Sequence, residues 1–363
     1  MQASPPNAGA AAVDPLTPYL EDCRSRVLEE IQRLMPARPR HGGLLYELML
    51  DYPLRGGKAL RPALCIASCR ALGGHSEAVL RTAAVLELYH NAFLIHDDVE
   101  DGSEKRRSEA TLHRLHGVPI AVNVGDGMLA LSMEPLLENI ELVGLGRALR
   151  ILQTIARMAR ESAEGQMMEL DWVRRAHWTP SDRDYVRMVY KKTCWYTFLA
   201  PVLVGAIAAG ADDATLRALA RFATPLGVAF QIQDDVLNLF GDEALYGKEI
   251  DGDLWEGKHT LMLIHALRSA PPEARARALA VLAKQRPPQR GPADPELYRG
   301  EADVRFLRAQ IEESGGADYA LGQARQRAER ARRGLRAAAS SWPESSHRAF
   351  LEGLVDYVVE RDR

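Results

Sequence analysis

The sequence predicts an all-α fold, a single large helical bundle with a central apolar cavity. Helical periodicity recurs along the chain, whereas period-two alternation and hairpin signals are almost absent. Hydrophobic residues make up 47% and charged residues 26% of the 363 residues, the balance of a soluble globular domain. Two long segments, 76–101 and 214–240, are apolar over most of their length and are expected at the centre of the bundle.

The first predicted helix, in residues 17–35, begins with Thr17 and Pro18, residue types common at helix starts. Its apolar side chains then follow one stripe, as in a helix that packs on a core. The next long helix carries an apolar face from Val79 to Ile95 before it reaches an acidic end.

The segment 193–211 contains no charged side chain, and its length is borderline for a membrane span. Pro201 and Gly205 interrupt it, and Asp212 follows immediately. We therefore predict a bundle helix that is buried on all sides, and no membrane span.

Two later segments complete the element order. The helix in 214–240 again ends in acidic residues, and the helix in 318–339 alternates its charges like an outer, solvated helix. Between them, the polar and proline-rich stretch 284–296 is predicted to be a surface excursion.

Residues 1–14 are predicted to form a disordered N-terminal tail, and residues 15–363 a single all-α domain. The tail lacks the basic start and apolar run of a signal peptide. The formal net charge of −3 gives no general reason to bind nucleic acid or an anionic membrane. Any anion site must therefore be a local basic cluster.

The four cysteines include no CxxC pair and match no zinc spacing. Cys65 and Cys69 lie four residues apart, so on a helix they share one face. We predict core thiols in a reducing compartment, and the expected location is the cytoplasm.

The stretch LIHDDVEDGSEKRR, residues 94–107, places a carboxylate cluster at the end of an apolar helix. Asp97 and Asp101 lie four residues apart and project from one helix face, while Asp98 lies about a quarter of a turn away. Like charges stacked at a helix C-terminus repel each other, and the helix dipole adds to the cost. A divalent cation would offset that cost.

The same spacing recurs in FQIQDDVLNL, where Asp234, Asp235 and Asn238 end the second long apolar helix. The repetition predicts two oxygen-rich faces that meet across a cavity. Oxygen ligands without histidine or cysteine at ligand spacing favour Mg²⁺ over zinc, and Mg²⁺ readily shares phosphate oxygens.

Basic residues accompany these motifs. Lys58 and Arg61 follow two glycines whose bare backbone lets an anion approach closely. The other basic or polar candidates each lie beside an acidic motif or head the uncharged helix: Arg106, Arg107, Lys192, Thr193, Lys248 and Lys258. Together they predict clamps for more than one phosphate-bearing ligand. The expected ligand is a diphosphate with a hydrocarbon tail.

At these residues the sequence resembles trans-type isoprenyl diphosphate synthases, most of all the geranylgeranyl and farnesyl diphosphate synthases. The resemblance runs from about Leu44 to Thr260 and is carried by five motifs in order: GGKALRP, ELYHNAFLIHDDVEDGSEKRR, EGQMMEL, KKTCWYT, and FQIQDDVLNLFGD with GKEIDGDLWEGKHT. It implies the all-α isoprenoid synthase fold and a Mg²⁺-dependent prenyltransferase, usually a homodimer. Such an enzyme condenses isopentenyl diphosphate with dimethylallyl, geranyl or farnesyl diphosphate.

The resemblance also implies residue roles. Isopentenyl diphosphate would be bound by Lys58, Arg61, His90 and Arg107. The Mg²⁺ ions, three with substrate bound, would be held by Asp97, Asp101 and Asp234. The allylic diphosphate would be contacted by Arg106, Lys192, Thr193, Gln231, Lys248 and Lys258. The catalytic set would consist of both aspartate pairs with their neighbours: Asp97, Asp98, Asp101, Asp234, Asp235 and Lys192.

Three positions depart from the common family pattern. Ala59 stands where a second basic residue is frequent, Glu169 ends the GQxxD-like motif, and Asn238 replaces a third aspartate. Glu169 keeps the charge on a longer arm, which leaves its contact open.

Product length is expected to depend on the helix that precedes Asp97. Phe93 lies one turn deeper and Tyr89 two turns deeper, and a turn rises about 5.4 Å, comparable to one isoprene unit. Farnesyl-producing relatives carry aromatic residues both four and five positions before the motif, whereas Ala92 occupies the fifth position here. The predicted product is therefore geranylgeranyl diphosphate (C20), with C15 and C25 as alternatives.

Two readings of another class remain open at this point. A class I terpene cyclase also uses an aspartate-rich helix, but it lacks a basic pair such as Lys58 and Arg61. A non-catalytic partner subunit tends to lose an aspartate motif, and this chain retains both. The preferred starter, the pathway and any heteromeric partner stay undetermined by the sequence.

Overall fold

The computed structural model describes residues 16–37, 41–241, 250–287 and 294–360. The predicted disordered tail and the predicted ligand Lys248 lie outside these residues. Within them, the regular structure is helical except for one hairpin with two residues in each strand and an isolated bridge. The all-α prediction is confirmed.

The described helices are, in chain order, α1 Leu16–Leu34, α2 Gly43–Leu54, α3 Leu60–Ala71, α4 Glu77–Glu100, α5 Leu112–His116, α6 Val118–Leu131, α7 Met133–Val143, α8 Leu145–Arg174, α9 Asp182–Val189, a π-helix Tyr190–Leu199, α10 Ala200–Ala208, α11 Asp213–Phe240, α12 Gly252–Glu256, α13 Leu261–Ser269, α14 Pro272–Leu282, α15 Glu301–Glu313, α16 Gly316–Ala338 and α17 Ser346–Glu360. The four helices singled out in the sequence begin and end within two residues of their predicted bounds, because their apolar periodicity and end signals are both clear.

The core is one cluster of buried apolar side chains that draws on almost every described helix. The long apolar helix α11 packs along α16 on one side and against the π-helix on the other. Helix α4 packs against α1, α3, α6 and α7. The two helices that end in aspartate are therefore both central, as their composition predicted.

A short hairpin follows α4. Strands β1 Lys105–Arg106 and β2 Glu109–Ala110 pair antiparallel through a two-residue turn, Arg107 and Ser108. Both turn residues have positive φ, 54° and 66°, as a tight hairpin turn with the twist of its strands requires. The hairpin folds Arg106 back onto Asp98 near the end of α4 and directs Arg107 to the carbonyl of Tyr52 in α2.

The uncharged segment 193–211 lies inside the bundle, as predicted. It forms most of the π-helix and all of α10, and nearly all of its side chains are buried. Among the described residues, the stretch long and apolar enough to cross a membrane is a different one, Val118–Val143. That stretch is divided into α6 and α7 at Ser132, and 39% of its most apolar window is buried.

The described part of the 284–296 stretch, 284–287 and 294–296, has two contacts that anchor its first residues. Gln285 forms a parallel bridge with Tyr298, and Arg286 Nη1 donates to Glu256 Oε1 at 2.8 Å. The described residues of the stretch are half-buried or exposed, and the remainder of the predicted excursion, 288–293, lies outside the described residues.

Candidate active site

A cavity of about 840 Å³ opens between the ends of α4 and α11. Helices α8 and α9, the π-helix, and the α12 region close its sides. Ten of the predicted site residues line it: Phe93, Asp97, Asp101, Arg106, Lys192, Thr193, Gln231, Asp234, Asp235 and Lys258. The two acidic helix ends do face one another across a cavity.

The first aspartate motif divides its side chains between the cavity and the core. Asp97 and Asp101 line the cavity, whereas Asp98 does not and is fully buried. Tyr52 Oη donates to Asp98 Oδ2 at 2.6 Å, and Arg106 Nε donates to Asp98 Oδ1 at 3.0 Å. Asp98 therefore orients Arg106 and the helix end and does not reach a ligand in the cavity.

The second motif differs in one respect, because Asp234 and Asp235 both line the cavity. Asp235 is also held by Tyr185 Oη at 2.7 Å and by Gln231 Nε2 at 2.7 Å. Burial raises the pKa of Asp235 to about 7, although both hydrogen bonds lower it and Asp234 raises it further. In each motif, a buried tyrosine thus fixes the second aspartate.

Two lysines reach into the cavity between the carboxylates. Lys192 Nζ pairs with Glu169 and lies 3.6 Å from Asp97 Oδ1. Burial lowers the pKa of Lys192, but Glu169 and Asp97 outweigh it, so the pKa is raised and the ammonium stays charged. The longer side chain of Glu169 serves as the counter-ion of Lys192.

Lys258 stands at the opposite wall. Its Nζ donates to Asp101 Oδ2 at 2.9 Å and pairs with Glu256 Oε2 at 2.5 Å. Burial raises the pKa of Asp101 to about 7, Lys258 lowers it, and the neighbouring Asp97 and Glu256 raise it again. The carboxylates at this wall outnumber the cations, which favours an added cation.

The backbone around Lys258 is held by Asn238, the residue that replaces a third aspartate. Asp253 N donates to Asn238 Oδ1 at 3.0 Å, and Asp251 N donates to Asn238 O at 3.0 Å. The amide oxygen of Asn238 is used to accept this backbone hydrogen bond. A carboxylate at the same position would have to divide its oxygens between the backbone N–H and a metal ion. Asn238 therefore shapes the turn toward Lys258.

The π-helix places Lys192 and Thr193 at the cavity because its wider turns shift side chains relative to an α-helix. Its backbone lies against Gly165 of α8, where a Cβ atom would be 2.2 Å from Lys192 N. Thr193 Oγ1 donates to Gln231 Oε1 at 2.8 Å. The glycine is required for this close approach.

The remaining predicted cations among the described residues are grouped here as the second basic cluster: Lys58, Arg61, His90 and Arg107. None of the four lines the large cavity. Arg61 lies over the ring of Tyr196 at 4.4 Å, and His90 lies 6.0 Å from the same ring. Tyr196 does line the cavity, so one aromatic ring separates the second basic cluster from the first site.

The glycine loop before α3 organises this cluster. Gly57 has φ 137°, and a Cβ atom there would meet Arg107 Nη2 at 2.6 Å. Arg107 Nη1 donates to Tyr52 O at 2.6 Å. Burial lowers the pKa of Arg107, Glu87 raises it, and nearby arginines lower it. This concentration of positive charge is suited to an anion.

The three predicted chain-length residues lie differently from one another. Phe93 lines the cavity and meets Tyr196 edge to face, with ring centroids 5.5 Å apart. Tyr89 packs behind it, 6.0 Å from Phe93, and Ala92 is fully buried outside the cavity lining. The aromatic wall at this depth is therefore Phe93 with Tyr196, a residue that sequence reasoning did not single out.

Sequence reasoning also missed Tyr52, Tyr185, Gln166 and Glu256. Gln166 Nε2 donates to Glu100 Oε2 at 2.6 Å and steadies the acidic end of α4. Tyr52, Tyr185 and Gln166 lie 46, 50 and 66 residues along the chain from the carboxylates that they hold, so no local spacing pattern could have found them. Glu256 lies only two residues before Lys258.

The donor set fits a hard divalent cation. Asp97, Asp101 and Asp234 offer oxygen ligands, and neither histidine nor cysteine joins them. In the described part of the chain, no three potential ligands form a complete metal centre on their own. Oxygens of a bound ligand would have to complete the coordination, as Mg²⁺ prefers.

Comparison with known proteins gives a consistent picture. The family model described as polyprenyl synthetase matches residues 44–294. A geranylgeranyl pyrophosphate synthase of Geoglobus acetivorans is 31% identical over 358 residues, with 96% of this chain and 99% of the relative covered. An octaprenyl diphosphate synthase of Escherichia coli is 32% identical over 308 residues, with 85% and 87% covered.

A solved structure shares the whole architecture. It is a polyprenyl synthase of Caulobacter crescentus, crystallised with calcium and isoprenyl diphosphate. The TM-score is 0.81 and the identity is 31%, and the match covers 98% of this chain and all of the other. The products named for these proteins differ in length, so the matches leave the product length open.

Proposed function

Because this chain belongs to the polyprenyl synthetase family and is a prenyltransferase, we propose that it condenses isopentenyl diphosphate with an allylic diphosphate. The proposed product is a short-chain all-trans prenyl diphosphate, mainly geranylgeranyl diphosphate. One observation carries the proposal. Asp97, Asp101 and Asp234 face a single cavity with Lys192 and Lys258 between them.

Dimethylallyl, geranyl or farnesyl diphosphate would bind in the cavity with its diphosphate between the two acidic helix ends. Lys192, Lys258 and Arg106 would stabilise the charge that develops as the allylic C–O bond breaks and its electron pair moves to the leaving oxygen. Their own counter-ions hold these cations in place before substrate arrives, so little reorganisation is needed.

Asp97, Asp101 and Asp234 would hold Mg²⁺, with three ions present when substrate is bound. Bound Mg²⁺ would neutralise further negative charge on the leaving diphosphate.

Isopentenyl diphosphate would bind at the second basic cluster, on the other side of Tyr196. Its alkene would attack the allylic carbon, forming the new C–C bond, and a proton would then leave the carbon next to the resulting cation. The released diphosphate is the proposed proton acceptor. Phe93 and Tyr196 would exclude water from the reacting carbons.

The proposed C20 product depends on the depth of the cavity along α4. The rings of Phe93 and Tyr196 narrow the cavity one helical turn below Asp97, and Tyr89 lies one turn deeper along α4. Ala92, on the same helix, adds no second aromatic ring to this barrier. A tail would therefore pass the Phe93 level and stop lower down.

A homodimer is the proposed assembly. Exposed large apolar side chains concentrate on the stretch from α5 to the start of α8: Leu115, Val118, Ile120, Val122, Met133, Leu137, Ile140, Leu142, Leu145 and Leu149. Exposed apolar side chains concentrated in one stretch of helices are typical of a protein interface. The proposed location is the cytoplasm, which agrees with four buried and unpaired cysteines.

The test is an incubation of the purified chain with Mg²⁺, labelled isopentenyl diphosphate and each of the three allylic starters, followed by sizing of the products. A linear C20 diphosphate is expected. A cyclic hydrocarbon formed without use of isopentenyl diphosphate would indicate a cyclase. Absence of any product would indicate a non-catalytic partner subunit.

A further inference from the structure

Arg299 lies beyond residue 294, where the match to the family model ends, and its side chain enters the interior behind Lys258. Only 3% of the residue is exposed. Burial lowers the pKa of Arg299 to about 10, so the guanidinium is charged at neutral pH. A buried charge of this kind is costly unless each of its donors is satisfied.

The guanidinium is satisfied by backbone carbonyl oxygens. Nη1 donates to Leu254 O at 2.8 Å and to Trp255 O at 2.6 Å. Nη2 donates to Leu282 O at 3.0 Å and to Lys284 O at 2.7 Å. The fifth donor, Nε, lies 3.3 Å from Val281 O.

These carbonyls belong to the C-terminal ends of two helices. Leu254 and Trp255 are near the end of α12, and Val281 and Leu282 are at the end of α14. The last carbonyls of a helix lack the partner that the helix interior provides, and they carry its negative dipole end. Leu254 O and Val281 O also accept from Gly257 N and Lys284 N, and the guanidinium gives each a further donor. One planar cation with five donors therefore joins the two helix ends.

The first of these helix ends leads directly to the cavity. Gly257 follows α12 with φ 75°, and a Cβ atom there would lie 2.8 Å from Arg299 Nη2. Lys258 is the next residue, and its N–H donates to Asp253 O at 2.8 Å. The Lys258 side chain then reaches Asp101. The guanidinium therefore packs against the backbone that carries Lys258.

We propose that Arg299 is a positioning residue for Lys258, which it holds at the diphosphate site by joining the ends of α12 and α14. The inference rests on the proposed function, because it assigns Lys258 to the allylic diphosphate. Arg299 itself does not reach the cavity lining. Its effect on substrate must therefore pass through the turn at Gly257 and Lys258.

The variants are Arg299→Lys, which keeps the positive charge but loses the planar five-donor guanidinium, and Arg299→Met, which loses both. Arg305→Met on α15 is the matched control, because Arg305 is 70% exposed and pairs with Glu301 on the surface. Binding of inorganic diphosphate in the presence of Mg²⁺ is measured by calorimetry. The KM values for the allylic diphosphate and for isopentenyl diphosphate are measured in parallel.

Arg299→Lys is expected to weaken diphosphate binding and raise the allylic KM by about 10- to 100-fold, the range for loss of a residue that orients a ligand-binding group. The KM for isopentenyl diphosphate should change less than about twofold, because Lys58, Arg61, His90 and Arg107 lie elsewhere. Arg305→Met should behave like the parent.

A double-mutant cycle with Lys258→Ala separates positioning from general destabilisation. On the Lys258→Ala background, Arg299→Lys should cause no further loss of diphosphate affinity, although the midpoint of thermal unfolding should still fall. Full additivity of the two losses in affinity, or an equal rise in both KM values, would overturn the proposal. The binding cycle gives this answer even if the parent forms no prenyl product, so failure of the proposed function remains distinguishable.

Discussion

Asp97 and Asp98 are neighbours in the chain but have opposite surroundings. Asp97 faces the cavity, and Asp98 is buried between Tyr52 and Arg106. We expect Asp97→Asn to retain the thermal stability of the parent and to lose activity by orders of magnitude. Asp98→Asn should instead lower the free energy of unfolding by about 3 kcal/mol, because it leaves Arg106 buried without its counter-ion.

Thermal unfolding and steady-state turnover of the two variants, measured side by side, check this difference. A stable Asp98→Asn variant with the same loss of activity as Asp97→Asn would contradict it. The difference between the two aspartates was not predictable from the sequence. Their spacing along the helix was clear, but Tyr52 and its hydrogen bond come from a distant helix.

His259 gives a pH-dependent prediction. The imidazole stacks on Trp178 with centroids 5.0 Å apart, Nε2 faces His177 O at 2.9 Å, and Nδ1 is buried without a partner. Burial lowers the pKa of His259 from 6.5 to about 4. As the pH decreases from 6.5 toward 4, the imidazole is protonated in the unfolded chain but stays neutral in the folded one. The free energy of unfolding therefore falls over this pH range.

Between pH 7 and pH 5, His259 should contribute a loss of about 2 kcal/mol in the free energy of unfolding. His259→Gln keeps a donor toward His177 O and removes the titration. Urea unfolding at a series of pH values should show a shallower decrease for the variant than for the parent. Parallel curves would contradict the assignment.

At the scale of elements, the π-helix is the feature that the sequence did not reveal. Helical periodicity and the lack of charge predicted a buried helix there, and this is confirmed. The wider turn, however, depends on its contacts with α8 and α11. Packing of this kind leaves no local pattern, because the same residues could form an ordinary α-helix.

Gly165→Ala tests the approach of α8 to the π-helix. The added Cβ would meet Lys192 N at 2.2 Å, a backbone atom that cannot rotate away. We expect a loss of about 3 kcal/mol in stability and a marked loss of diphosphate binding, because Lys192 moves with its backbone. Gly146→Ala on the same helix is the control, since nothing lies within 4 Å of its added Cβ. Equal behaviour of the two variants in unfolding and calorimetry would refute the close approach as the reason for the glycine.

Helix α4 sets the expected product length. Phe93→Ala should lengthen the product beyond C20, because it removes half of the Phe93–Tyr196 wall. Ala92→Phe remains predicted to shift products toward C15, although Ala92 lies in the packed interior behind the lining. Chromatographic sizing of the products checks both variants. An unchanged product distribution in both would show that the tail does not run along this helix.

At the scale of the whole molecule, the class of fold followed from periodicity and composition, because an all-α bundle depends mainly on local patterns. The pairing of two acidic helix ends across a cavity was also predictable from their repeated spacing. The sequence also predicted the residues of the second basic cluster. It did not predict that Tyr196 separates this cluster from the cavity, because that separation depends on the packing of α3, α4 and the π-helix.

The exposed apolar surface from α5 to α8 leads to a prediction about assembly. Analytical ultracentrifugation should give a molecular mass of twice the 40.2 kDa of one chain. Leu137→Asp should produce monomers, because a charge would then be buried at the interface. Leu297→Asp is the control, since Leu297 is 60% exposed against 52% for Leu137 but lies outside this surface. A monomeric parent, or a Leu137→Asp variant that stays dimeric, would contradict the proposed interface.

The central claim is that the two acidic helix ends act together on one allylic diphosphate, which is then condensed with isopentenyl diphosphate. The most direct measurement follows labelled prenyl product and released diphosphate together in the parent, Asp97→Asn and Asp234→Asn, with Mg²⁺ present. The account predicts one diphosphate released for each new C–C bond in the parent, and loss of both signals in either folded variant. Condensation that persists when either aspartate is replaced, or diphosphate release without chain elongation, would contradict it.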